Sequence, residues 1–68
     1  MNKPNLKQDI TNIVNGEKYN IYTTLDLDMV AEDLKELGWE NIDVQMNSIY
    51  AKKAGKKFYV DLDSVDWK

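Results

Sequence analysis

The residues best placed to do chemistry in this chain are carboxylates. The stretch DLDMVAEDLKELGWENID, residues 26–43, holds seven of the twelve acidic residues and one of the nine lysines. Its net charge is −6, whereas the remainder, with five acids and eight lysines, carries +3. Asp28, Glu32 and Glu36 recur every four residues, with Asp33 beside them, Met29 projecting into the same face and Glu40 just beyond. On a helix, residues four apart stack on one side, where like charges cost a few tenths of a kcal/mol per pair. A face that accepts this cost is either a solvated surface or one built to meet a basic protein partner. Asp28, Met29, Glu32, Asp33, Glu36 and Glu40 are therefore the candidate partner-binding residues.

Other chemistries have less to stand on. The chain has no histidine and no cysteine. The usual general base near neutral pH, the usual zinc ligands and any disulfide are thereby removed. Ser48 and Ser64 have no imidazole to activate them. Asp61, Asp63 and Asp66 in DLDSVD hint at a calcium loop, but the central glycine and the closing glutamate of an EF-hand are missing. The expectation is a protein that is not an enzyme and that uses no metal or cofactor. All nine basic residues are lysine. Without arginine's planar fork, sequence-specific DNA reading is disfavoured, and the acidic net charge disfavours non-specific binding, so no direct nucleic-acid contact is expected. No apolar run is long enough to span a bilayer, and MNKPNLKQDI lacks the apolar core of a signal peptide. A soluble, cytoplasmic protein is expected, either monomer or homodimer.

The elements that carry these residues follow from periodicity. The chain is one domain by length. Leu27, Val30, Ala31, Leu34 and Leu37 lie at helical spacing and predict an amphipathic helix over 27–37, opened by Thr24 or Asp26 and closed by Gly38. Over 41–62 the pattern changes to period two. Ile42, Val44, Met46, Ser48 and Tyr50 share one parity, and Phe58, Val60 and Leu62 form a second even-numbered set. This predicts a hairpin with Tyr50 opposite Phe58. That pairing requires a three-residue loop, Lys53-Ala54-Gly55, with Lys52, Lys53, Lys56 and Lys57 clustered at the tip.

The amino end fits two patterns. Leu6, Ile10, Ile13 and Val14 have helical spacing with Asn15-Gly16 as a stop, and Asn-Gly with β-branched neighbours equally signals a hairpin. The helix is favoured. Tyr19, Ile21 and Thr23 read as a strand either way. The predicted class is α+β: a single small domain of order αβαββ, with ββαββ as the alternative, in which a short antiparallel or mixed sheet is packed by the amphipathic helix.

The carboxyl end GKKFYVDLDSVDWK resembles the wing strand and final helix of excisionase-type winged-helix proteins, and MVAEDLKELGW would stand for their first motif helix. The resemblance implies a small DNA-binding regulator that uses the lysine hairpin. At the place of the recognition helix stands ENIDVQMNS, which alternates like a strand and carries acids instead of arginines. The leading expectation is a small acidic binding protein, with a homo-oligomeric structural module as a further alternative. Its charge and size match the DNA-mimic inhibitors of nucleic-acid-processing enzymes that phages and mobile elements encode, of the anti-restriction and anti-CRISPR kind.

Overall fold

A computed structural model of the chain describes residues 3–65. Two helices come first, α1 (Leu6–Glu17) and α2 (Thr24–Glu36). Three strands follow, β1 (Glu40–Val44), β2 (Ser48–Lys53) and β3 (Lys56–Asp61), and then a single 3₁₀ turn over Leu62–Ser64. The strands form one antiparallel sheet in the order β1-β2-β3. The class is α+β, with the helices covering one face of the sheet. The order is ααβββ, so neither predicted element order holds.

The amino-terminal ambiguity resolves as helix. Asn5 caps α1, its side chain accepting from the Gln8 N–H. Leu6, Ile10 and Val14 form the buried stripe. Asn15 and Gly16, expected to end the helix, lie inside it, and the end comes at Lys18 in the left-handed conformation. An interior glycine costs a helix only about 1 kcal/mol relative to alanine, which the buried stripe outweighs.

Residues 19–23 are not a strand. They form the link between the helices, where Asn20 makes a tight local turn. Its side chain accepts from the Tyr22 N–H at 2.8 Å, and the Thr23 N–H donates to the Asn20 carbonyl at 3.1 Å. The Asp26 carboxylate accepts from the Asn20 N–H at 2.8 Å and ties the link to the first turn of α2. Asparagine favours such side-chain-closed turns over strand ladders. The β-like alternation survives only as Ile21, which plugs the core.

Helix α2 starts three residues earlier than the stripe implied. Thr23 is its N-cap, without a side-chain capping bond. Leu27, Val30 and Leu34 are buried, Ala31 is half-buried and Leu37 is exposed beyond the last turn. Gly38 follows at φ +96°, as expected for a residue just past the end.

The period-two region is two hairpins rather than one. Glu40 pairs with Lys52, but Asp43 pairs with Tyr50, so β1 holds one extra residue between them. Asn41, at φ +51°, marks this bulge. The bulge lets Trp39 face the core together with Ile42 and Val44. A turn at Gln45–Asn47 then pairs Val44 with Ile49, which moves the inward parity from even to odd. The next turn moves it back. Lys53 pairs with Lys56 around a two-residue Ala54-Gly55 loop, with both residues at positive φ. That is the loop geometry whose twist matches the strands. Tyr50 therefore faces Tyr59, and Phe58 faces Ala51. The predicted three-residue loop and Tyr50–Phe58 pair fail because 42–50 is two strands. The core joins Leu6, Ile10, Val14, Ile21, Leu27, Val30 and Leu34 to Trp39, Ile49, Ala51, Val60, Leu62 and Val65.

Residues 41–44 and 48–50 are strand, so no recognition helix occupies ENIDVQMNS. The final helix of the winged-helix comparison is a single 3₁₀ turn within the described residues, and its tryptophan, Trp67, lies outside them, as does Asp66.

Candidate functional site

The outer face of α2 is the element that gathers the candidate residues. At about 100° per residue, the side opposite Leu34 is centred on Leu25, Glu32, Glu36 and Met29, with Asp28 and Lys35 along one edge. Leu25 is 72% exposed and Met29 47%. Four residues apart, they form one apolar strip. Glu32 meets Lys35 at 3.6 Å, both exposed. An exposed pair at that distance contributes under about 1 kcal/mol and leaves the face acidic. Asp28, Met29, Glu32 and Glu36 thus share one surface. Asp28 lies in the second turn of α2, because the helix begins at Thr24, and Asp26 is the acid of the first turn.

The other two predicted residues lie elsewhere. Asp33 is half-buried on the side of α2 that faces the link, where it accepts a hydrogen bond from the Tyr19 hydroxyl. The phenol's pKa is raised, first by desolvation, then by the charges of Asp33, Glu17 and Asp26. Asp33, Glu36 and Glu17 also line a shallow groove of about 240 Å³ between the helices, with Ile13 and Leu37. Glu40 is on β1 opposite Lys52, on the far side of the sheet from the helices. The acidic block of the sequence is therefore divided among three surfaces.

The lysine tip is also divided. Lys56 and Lys57 are exposed, but Lys53 turns back along the molecule. Its ammonium donates to the Leu37 carbonyl at 2.8 Å and sits 5.1 Å from the centre of the Trp39 ring. A cation there satisfies an orphan carbonyl at the end of α2 and complements the helix dipole. Trp39 is held on three sides. Its indole N–H donates to Asp9 at 2.8 Å, its ring meets Phe58 edge-on at 5.2 Å, and Lys53 lies over it.

Sequence reasoning missed Leu25, although its signal was present: it lies four residues before Met29 and off the buried stripe. It also missed a second exposed apolar area. Tyr22 and Met46, 69% and 89% exposed, border a groove of about 230 Å³ with Thr24, Leu27, Val44 and Gln45. No periodicity could join residues from a link and a strand turn. Among the described residues, no group of three or more acids lies close enough to hold a metal ion, and no helix is long and apolar enough to cross a membrane. No protein-family model matches the sequence, and neither a curated protein nor a solved structure shows significant similarity to the chain.

Proposed function

We propose that this chain is a non-enzymatic binding protein that presents the outer face of α2 to a protein partner with a basic surface. The observation that carries the reading is the exposed Leu25–Met29 strip set among Asp28, Glu32 and Glu36. Exposed apolar side chains within a charged rim are the usual composition of a contact patch.

The spacing of the charges refines the partner. Three carboxylates four residues apart give one charge per about 6 Å of helix axis. One strand of duplex DNA carries one per about 3.4 Å. The face imitates a phosphate backbone in sign but at roughly half its linear density. A partner that reads it needs an apolar pocket as well as lysines or arginines. The basic groove of a nucleic-acid-processing enzyme, occupied stoichiometrically, is the partner class that fits both requirements.

The test compares the wild-type chain with the triple variant Asp28→Lys, Glu32→Lys, Glu36→Lys as affinity baits in one lysate. All three side chains are exposed, so the variant should fold as the wild type does. A protein held by the wild type, lost with the variant and associating more slowly as salt screens the attraction supports the reading. Identical captures by both baits would show that the carboxylates only solvate the helix.

A further inference from the structure

Strand β3 forms one border of the sheet, and among the described residues no strand pairs with its outer edge. The closing pair of a two-residue hairpin is hydrogen-bonded, and bonded and non-bonded pairs then alternate along the ladder. Lys53–Lys56 is that closing pair, so Phe58 and Val60 also direct their backbone groups at β2. The bond from the Leu62 N–H to the Asn47 carbonyl, at 2.8 Å, continues the same alternation. Lys57, Tyr59 and Asp61 consequently aim their backbone N–H and C=O groups outward. Among the described residues, no backbone hydrogen bond outside the sheet engages Lys57, Tyr59 or Asp61. The Asp61 carbonyl accepts the Ser64 hydroxyl at 2.6 Å, which leaves it a second lone pair. Each border strand packs against a helix, β1 against α2 and β3 against α1, but β1 is also interrupted by its bulge at Asn41, which protects an edge. β3 has neither a bulge nor a proline.

The sequence of this edge is complementary to itself. Read against its own reverse, Lys57-Phe58-Tyr59-Val60-Asp61 pairs lysine with aspartate, phenylalanine with valine and tyrosine with tyrosine. This register makes the outward-directed residues the hydrogen-bonded partners, Lys57 with Asp61, Tyr59 with Tyr59 and Asp61 with Lys57. It satisfies the free groups of all three residues on both chains. A shift of two residues one way sets Lys57 against Tyr59, and the other way sets it against Asp63, which lies in the 3₁₀ turn beyond the strand. Tyr59 is exposed and stands 5.0 Å from Tyr50, so the join would set four tyrosines side by side across a continuous outer face.

We infer that β3 docks antiparallel against β3 of a second copy of this chain, about a two-fold axis at Tyr59, giving a six-stranded sheet. The interface is isologous, as closed dimers require, and it is independent of the α2 face. Lysines on an edge strand often serve to prevent such pairing, but here each lysine meets an aspartate in the one register that uses every free backbone group.

Charge reversal separates these two roles. Lys57→Asp places two aspartates opposite each other at both ends of the join, and Asp61→Lys places two lysines there. Each variant alone would repel its own copy, whereas a one-to-one mixture restores both opposite-charge pairs. Sedimentation equilibrium from about 1 µM to about 1 mM covers the range of weak association. The wild type should approach twice the chain mass, each variant should dissociate about tenfold more readily, and the mixture should return to the wild-type value. Circular dichroism confirms that each variant is folded. Asp61 also accepts the Asp63 N–H, so Tyr59→Lys serves as a second variant, placing two ammonium groups together on the axis without touching that turn. A wild type that stays monomeric throughout, single variants that dimerise as well as the wild type, or a mixture that fails to recover would each overturn the inference.

Discussion

Trp39 shows how one residue links the elements. It is a large ring buried to 2% exposure with a polar edge that must find an acceptor. Asp9, thirty residues earlier, supplies it from the first turn of α1. Asp9→Ala should cost about 1.5–3 kcal/mol by denaturant titration, the range for a hydrogen bond to a charged group, and Asp9→Asn should cost less because an acceptor remains. Tyr19 gives the molecule an alkaline sensitivity. Its folded-state pKa lies above the ordinary phenol value of about 10, so the neutral phenol is the favoured form in the fold. The stabilisation is complete below the unfolded-state value and is lost as pH rises through the folded one. Unfolding midpoints measured between about pH 9 and pH 12 should fall in the wild type, and Tyr19→Phe should remove that part of the fall.

At the scale of elements, turns decided more than strands. Ala54 and Gly55 both have positive φ, a backbone state that costs a residue with a Cβ about 1–2 kcal/mol. Asn-Gly is the preferred pair for this turn, so Ala54→Asn should raise the thermal midpoint, gaining about 0.5–1 kcal/mol. Gly55→Ala, at φ +78°, should lower it by about 1–2 kcal/mol, although a Cβ there meets no neighbour. The opposite directions, read by calorimetry, test the two-residue loop directly, because a three-residue loop would not place residue 54 at positive φ. Helices were easier to read. The stripes of α1 and α2 lie on single continuous segments, and their spacing survives any error in the ends. Strand parity is fragile, since one bulge or even-numbered turn exchanges inward and outward positions for everything that follows. That is why residues 42–50 read as one strand, and why Tyr50 was assigned Phe58 as its neighbour in place of Tyr59.

At the scale of the whole molecule, charge is distributed by the fold. The outer face of α2 is acidic, and Lys56 and Lys57 stand exposed at the far hairpin, while Lys53 is committed to the end of α2 and Glu40 lies across from Lys52. With a net charge of −3 and no arginine, the expected attraction to a duplex is weak. No binding to duplex DNA should be seen by anisotropy at about 150 mM salt, because even ordinary non-specific binders reach only about 10⁻⁴–10⁻⁶ M. Sub-micromolar affinity would instead favour the regulator that the carboxyl-terminal resemblance implied. The amino-acid sequence by itself determined the α+β class, the amphipathic helix α2, the sign of its outer face and the exposure of Asp28, Met29, Glu32 and Glu36, while the helix over residues 6–17 was settled only by the structure. These follow from composition and from periodicity within a single segment, where each residue's neighbours are its own near sequence. Only the tertiary structure decided that residues 19–23 are a link, that Asp33 turns to Tyr19, that Glu40 leaves the acidic face and that Lys53 closes α2. It also decided that Lys57, Tyr59 and Asp61 line the outward edge of β3. The link rests on the local turn at Asn20, and the others depend on which elements the fold brings together, of which local spacing carries no record.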